Sequence, residues 1–244
     1  MVCRWSCPHP FASVPTMTTF VLVHGGYHGG WCWELLVAEL EARGHATIAP
    51  DLPCDDPDAG FAEYVATVLD AMGELSGPDV VLVGHSLGCY TVPLVAAVRP
   101  VGRLVLLCAV PALPGEPIPM DSTAIVTDDL INAPTYLDDR GLHMMSPHTF
   151  NHLFYEDCDA ATAWAALVQL RPQSTKPMTE PWPLTAWPDV PKTVVLTTDD
   201  RVVHLERGTA AARRLLGGAE PVILPGSHSV FLTQVGPLAD VLTG

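Results

Sequence analysis

Short apolar runs rich in β-branched residues alternate with amphipathic segments along most of this chain. Three of the runs occupy residues 20–26, 46–50 and 80–85, and their length and composition are typical of buried parallel strands. Residues 33–40 and 61–72 repeat apolar side chains every three or four positions, which predicts amphipathic helices. The order of these elements predicts parallel strands joined by helical crossovers.

The alternation continues after residue 85 and resumes in the last quarter of the chain. The further predicted elements are a helix from Ser86 to about Val98, a strand at 103–110, two segments at 192–200 and 221–228 that each comprise a strand and the start of the loop after it, and helices at 203–218 and 235–244. Together these elements predict an α/β fold. We expect a doubly wound, mostly parallel sheet of about six strands with helices on both faces.

The periodicity weakens over residues 111–188, where prolines cluster near both ends. Structureless loops of that length are rare in compact domains, so we predict a partly helical lid inserted after the fourth strand. The core then comprises residues 18–110 and 189–244. Residues 1–16 contain one cation and no apolar stretch of signal-peptide length, and we expect residues 1–17 to form a loose N-terminal extension.

A G-x-S-x-G pattern, Gly84 to Gly88, joins the third predicted strand to the next helix. In that context the pattern predicts a sharp turn that exposes the hydroxyl of Ser86. A serine hydroxyl is a weak nucleophile unless a base removes its proton. His228 follows the last predicted strand, and Asp199 and Asp200 follow the strand before it, so the carboxyl ends of neighbouring strands supply a base and two candidate acids.

The oxyanion of an acyl-transfer reaction needs hydrogen-bond donors close to the nucleophile. The first predicted strand ends in "HGG", and the backbone N–H groups of Gly26 and Leu87 are the predicted pair of donors. His24 and His85 lie beside these motifs, and we expect them to make structural hydrogen bonds.

Taken together, the segments "HGGYHGGW", "GHSLG", the strand after it, "TTDDR" and "GSH" resemble the α/β-hydrolase superfamily, specifically its plant methylesterase and hydroxynitrile lyase group and bacterial esterase relatives. The resemblance covers residue 18 to about residue 242. It implies Ser86 as nucleophile, His228 as base and Asp200 as acid. The lyases carry threonine and lysine where this chain has Gly25 and Ser229, which favours ester hydrolysis over cyanohydrin cleavage.

Several apolar or aromatic side chains near these motifs and in the lid are candidates for contact with substrate. The five predicted contacts are His28, Trp31, Met144, Met145 and Phe150. Three histidines within residues 143–152 raise the question of a zinc site, but no acidic or cysteine ligand shares a regular spacing with them. We therefore expect no metal and no cofactor.

The formal net charge of −15, with no cluster of lysines or arginines, disfavours binding to nucleic acid. The apolar runs are far shorter than the ~18 residues of a membrane span, so no membrane partner is expected. Seven scattered cysteines do not form a disulfide pattern and fit a reducing cytoplasm. The oligomeric state is left open, a homodimer included.

The sequence thus predicts a carboxylic ester hydrolase that forms an acyl-enzyme on Ser86 and acts on a small methyl- or aryl-type ester. Two alternatives remain open at this point, because a fold does not fix a reaction. One is a non-hydrolytic enzyme of the same fold, such as a lyase, cyclase or decarboxylase in a biosynthetic pathway. The other is a ligand-binding relative with low turnover.

Overall fold

The computed structural model describes residues 17–111, 114–120 and 125–244. The predicted N-terminal extension, apart from its last residue, lies outside the described residues. Within these ranges every helix is too short or too polar to traverse a lipid bilayer.

A six-stranded sheet forms the centre of the molecule, and a separate two-stranded hairpin lies outside it. The strands are β1 (Thr19–Val23), β2 (Ala46–Ile48), β3 (Gly77–His85), β4 (Val101–Leu107), β5 (Thr135–Leu137), β6 (His143–Met145), β7 (Lys192–Thr197) and β8 (Val222–Leu224). The large sheet has the order β2-β1-β3-β4-β7-β8, and all of its pairings are parallel. The predicted fold class is confirmed.

Helices cover both faces of this sheet, because each crossover between parallel strands must return along one face. A short 3₁₀ helix, Gly30–Trp33, precedes the first α-helix. The α-helices are α1 (Glu34–Ala42), α2 (Phe61–Met72), α3 (Gly88–Val98), α4 (Asp128–Ile131), α5 (Pro147–Phe154), α6 (Ala160–Leu167), α7 (Lys176–Thr179), α8 (Leu205–Leu215), α9 (Val230–Thr233) and α10 (Val235–Thr243).

Alternate side chains of β1 enter two separate hydrophobic cores, since successive residues of a strand point to opposite faces. Phe20 and Leu22 pack with Trp33, α1 and α10 on one face. Val21 and Val23 pack with α2, α3 and α8 on the other. The central strands are therefore buried on both sides, which accounts for their continuous apolar sequence.

The insertion, defined here as the residues between β4 and β7, contains α4 to α7 and the β5–β6 hairpin. Its residues 171–174 attach it to the core. The Arg171 guanidinium donates hydrogen bonds to the carbonyl oxygens of His28 and Leu52, at 2.8 and 3.0 Å. The side-chain amide of Gln173 donates to the Tyr64 hydroxyl at 2.8 Å. These buried and partly buried polar contacts fix the insertion above the carboxyl ends of the strands.

Candidate active site

Ser86 lies on a strained turn between β3 and α3. Its φ of 51° falls in the left-handed region, which residues other than glycine rarely adopt. Both flanking glycines are required by close backbone approach. A β-carbon at Gly84 would lie 2.7 Å from the Gly88 oxygen, and one at Gly88 would lie 2.5 Å from the Val23 oxygen. The turn places Ser86 at the wall of a large cavity.

His228, in the loop after β8, pairs with Asp200, in the loop after β7. The imidazole Nδ1 lies 2.9 Å from Oδ2 and 3.0 Å from Oδ1 of Asp200. Oδ1 also accepts hydrogen bonds from the backbone N–H groups of Val202 and Val203. The two side chains are 0% and 2% exposed, so the pair is shielded from water. These contacts fix the carboxylate and, through it, the orientation of the imidazole ring.

Asp199, the second acid left open by the sequence, lies elsewhere. Its carboxylate accepts a hydrogen bond from the Thr198 hydroxyl at 2.6 Å, and the residue is exposed. The two acids are neighbours in the turn after β7 and point in different directions, so one acid reaches the imidazole and the other reaches solvent. The geometry therefore brings Asp200, and not Asp199, to His228.

The other imidazole nitrogen of His228, Nε2, is buried and has no hydrogen-bond partner among the described residues. The hydroxyl of Ser86 likewise bonds to none of them. The ring is fixed by its neighbours: the centroid of the Phe154 ring lies 5.2 Å away, and His85 Nε2 lies 2.9 Å from the His228 carbonyl oxygen. The structure thus leaves the hydroxyl and Nε2 uncommitted, the two groups that a proton transfer would join.

The predicted oxyanion donors lie together beside the serine. Gly26 and Leu87 both line the cavity with Ser86. Neither backbone N–H donates a hydrogen bond to any residue that the structure describes. Leu87 also precedes α3, whose N-terminal end carries partial positive charge. Two unpaired N–H groups near a helix N-terminus are suited to an oxygen that becomes negative during reaction.

Two buried histidines hold the loop that carries Gly26. Nδ1 of His24 lies 2.8 Å from the Gly25 oxygen, and Nδ1 of His28 lies 2.8 Å from the Gly26 oxygen. Burial lowers the pKa of His24 to about 4 and that of His28 to about 3. Both rings are therefore neutral at pH 7, with a proton on Nδ1 to donate. Structural hydrogen bonding is the role that we expected for His24.

The cavity has a volume of about 920 Å³ and lies between the sheet and the insertion. Its wall is mostly apolar, which suits a substrate with hydrocarbon parts. Apart from the residues above, the lining side chains include Tyr27, Tyr90, Ile118, His143, Met145, Phe154, Gln173, Met178, Trp187, Val202 and Val203.

Comparison with known proteins identifies the family of this chain. The model of the alpha/beta hydrolase family matches residues 20–241. The chain belongs to this family. The resemblance stated from the sequence motifs is therefore confirmed.

Three relatives illustrate what this hydrolase is similar to. A pyrethroid hydrolase of Sphingobium wenxiniae is 26% identical over 93% of this chain and 87% of its own length. The salicylic acid-binding protein 2 of Nicotiana tabacum is 44% identical, over 28% of this chain and 30% of its own. The crystal structure of an Arabidopsis methylesterase superposes with a TM-score of 0.75 and 23% identity, covering 93% and 97% of the two chains. This last similarity shows the shared fold.

Of the five predicted substrate contacts in this hydrolase, Met145 lines the cavity. The other four, His28, Trp31, Met144 and Phe150, are not among the described residues that line it. Met144 is the middle residue of β6, so its side chain points to the opposite face from Met145. Phe150 is buried and packs edge-on against Tyr27, with ring centroids 5.0 Å apart.

His28 and Trp31 follow the first strand and lie outside the described lining of the cavity. His28 is fully buried, and its Nε2 lies 2.7 Å from the Tyr155 hydroxyl. Trp31 stacks on His28 and lines a separate shallow surface depression with Val37. Both residues therefore support the Gly26 loop, and their contact with substrate stays a prediction.

Three further side chains, Tyr27, His143 and Gln173, line the cavity but are not among the five predicted substrate contacts. Tyr27 directly follows Gly26, so its position one residue after a predicted oxyanion donor was an available signal. His143 and Gln173 belong to the insertion, where the weak periodicity left side-chain directions undetermined.

One group of potential metal ligands stands out within the described ranges: His85, Cys108 and His228, whose ligand atoms lie within 4.8 Å of one another. This group does not fit a metal. Nδ1 of His228 is paired with Asp200, and Nε2 of His85 bonds to a backbone oxygen. Burial raises the pKa of the Cys108 thiol, so the protonated form predominates at neutral pH.

Proposed function

We propose that this protein is a serine esterase that hydrolyses small carboxylic esters through an acyl-enzyme on Ser86. The observation that carries the proposal is the combination of a serine at a φ of 51° on the cavity wall with a buried His228–Asp200 pair, whose imidazole Nε2 has no partner among the described residues. The esterase and hydrolase names of relatives support the same reaction class.

In the proposed mechanism, the Ser86 oxygen attacks the carbonyl carbon of the ester while His228 Nε2 accepts the hydroxyl proton. The negative oxygen receives hydrogen bonds from the N–H groups of Gly26 and Leu87, each worth about 3 kcal/mol in systems of this type. Asp200 stabilises the imidazolium. His228 then protonates the departing alcohol, and water releases the acid from Ser86 by the same steps.

Ester hydrolysis fits this site better than cyanohydrin cleavage. The residue after His24 is Gly25, which has no side chain to polarise a substrate hydroxyl. The residue after His228 is Ser229, which is fully buried and uncharged. A cavity of about 920 Å³ with an apolar wall accommodates the hydrocarbon parts of a methyl or aryl ester.

The nucleophile is tested by covalent labelling and by turnover. We expect a fluorophosphonate to label the wild-type protein, and Ser86→Ala to lose the label and on the order of 10⁴-fold or more of the hydrolysis of methyl, aryl and thioester substrates. Ser76→Ala is the matched control, because Ser76 is exposed and makes no side-chain hydrogen bond in the described chain. Full turnover by Ser86→Ala would refute the mechanism.

We also propose a reducing, cytoplasmic location. All five cysteines that the structure describes are free thiols: Cys32, Cys54, Cys89, Cys108 and Cys158. Four of the five are buried, as expected of cysteines that act as small apolar core residues.

A further inference from the structure

Tyr27 and His143 form a hydrogen-bonded pair on the wall of the cavity. The Tyr27 hydroxyl lies 2.5 Å from His143 Nδ1. Tyr27 directly follows Gly26, the predicted oxyanion donor, and His143 begins β6 in the insertion. Both residues line the cavity that contains Ser86. The pair therefore places a polar atom from the core and one from the insertion side by side, on two residues that line the cavity.

The pair is held in place by several further contacts. The Tyr27 backbone N–H donates to Gln173 Oε1 at 3.1 Å. His143 and Gln173 exchange two backbone hydrogen bonds, at 2.7 and 2.9 Å. Tyr27 also adopts a φ of 67°, a conformation that bulky residues avoid unless their surroundings impose it. The surrounding structure thus fixes the position of the phenol and of the imidazole.

A count of protons shows that this pair keeps hydrogen-bonding capacity for a ligand. Burial raises the pKa of Tyr27 and lowers that of His143, so both are neutral at pH 7. Together they carry two polar hydrogens, and their mutual bond uses one of them, whichever tautomer the imidazole adopts. Neither group has another side-chain hydrogen-bond partner in the described part of the chain. One donor and at least one acceptor remain in either tautomer.

Apolar side chains elsewhere on the cavity wall make the remaining hydrogen-bonding groups of Tyr27 and His143 selective. Met145, Val202 and Phe154 line the same cavity and offer no competing hydrogen bonds. In such surroundings a buried polar group that a ligand leaves unpaired carries a desolvation penalty, so sites of this kind discriminate strongly between ligands with and without the matching group. Because the pair is uncharged, an uncharged partner suits it better than a carboxylate.

We propose that Tyr27 and His143 form a specificity subsite that hydrogen-bonds an uncharged hydroxyl or ketone oxygen of the substrate, so that hydroxy- and keto-esters are preferred over plain hydrocarbon esters. The proposal rests on the esterase function proposed above and names its substrate class. In this proposal Tyr27 and His143 select the substrate and take no part in the chemical step.

Substrates that differ by a single oxygen test this subsite. The probes are methyl mandelate and methyl benzoylformate, which carry a hydroxyl and a ketone, and methyl phenylacetate, which carries neither. We expect wild-type kcat/KM to favour the oxygenated esters about tenfold, which corresponds to about 1.4 kcal/mol. Tyr27→Phe and His143→Leu should each remove most of this preference, and the double variant should remove little more, because the two residues act as a unit.

The controls are Tyr136→Phe and His148→Leu. Both residues are exposed members of the insertion and lie outside the described lining of the cavity, so these variants should keep the wild-type ratio. Thermal unfolding of each variant establishes that it is folded. As a second measurement, calorimetry gives the affinity of Ser86→Ala for the same three esters, with and without Tyr27→Phe, which reports the subsite without turnover.

The outcomes separate this inference from the proposed function. Hydrolysis of all three esters with a ratio near one, or a ratio unchanged by both Tyr27→Phe and His143→Leu, overturns the subsite and leaves the esterase intact. Selective binding of the oxygenated esters that Tyr27→Phe abolishes, in a protein that hydrolyses none of them, supports the subsite and overturns the esterase.

Discussion

Lowering the pH from 8 to 5 should destabilise this protein strongly, because three histidines are buried in their neutral form. His24, His28 and His85 are fully buried. Burial is the main reason that their pKa values fall, to about 4 for His24, to about 3 for His28 and well below the usual range for His85. In the unfolded chain each histidine has a pKa of about 6.5.

The direction of the effect follows from this difference. Between pH 6.5 and the lowered values, the unfolded chain binds protons that the folded chain does not, so the free energy of unfolding decreases as the pH falls. At pH 5 each of these histidines stabilises the fold by about 2 kcal/mol less than at pH 8, or about 6 kcal/mol for all three. Domains have total stabilities of about 5–15 kcal/mol, so we expect unfolding to begin near pH 5.

Urea unfolding at intervals from pH 5 to pH 8 measures this dependence. Between pH 5 and 6 the free energy of unfolding should change by at most about 4 kcal/mol per pH unit, the value reached when the unfolded chain binds three more protons than the folded chain. His24→Gln should reduce that slope by about one third, whatever it does to stability at pH 8. His148→Gln, which changes an exposed histidine, should leave the slope unaltered. Coincident slopes for the wild type and His24→Gln would refute the reasoning.

Two further substitutions test the packing. Gly88→Ala should lower the free energy of unfolding by about 1–3 kcal/mol and remove most of the activity, because the added β-carbon would lie 2.5 Å from a backbone oxygen of β1. The control is Gly236→Ala, whose β-carbon would meet no atom within 4 Å, so urea unfolding should show no loss of stability. Trp182→Phe should cost about 1–3 kcal/mol, because the indole N–H loses its 2.9 Å hydrogen bond to the Tyr90 oxygen inside the core. Trp164→Phe, at a residue 66% exposed, should be neutral; equal effects of the two tryptophan variants would contradict this.

The central sheet could be predicted from the sequence because its strands are buried on both faces. Continuous apolar runs such as that of β3 have one stable location, between two layers of helices. The short helix α9 was not predicted, since four residues give too little periodicity to detect. The strands could thus be predicted from the local pattern of apolar residues, whereas α9 is too short to show such a pattern.

The candidate site was predictable where a motif determines the backbone and unpredictable where packing determines the side chain. Ser86, Gly26 and Leu87 follow from the turns that their glycines require. His28 also lies in a motif, but its ring is buried and hydrogen-bonds to the hydroxyl of Tyr155, at the end of α5. Met144 and Met145 are equivalent in composition, and only the pairing of β6 decides which one faces the cavity.

The insertion leaves the sheet after β4 and returns to it at β7, and these two strands are hydrogen-bonded neighbours. No strand of the sheet therefore depends on the insertion for its alignment. A replacement segment of different length or sequence can span the same two attachment points and leave the sheet intact, but it must also place a side chain where Phe154 packs against the His228 ring. Grafting the corresponding segment of a related enzyme should therefore change the part of ligand preference that His143 supplies, while Tyr27 in the core retains the rest.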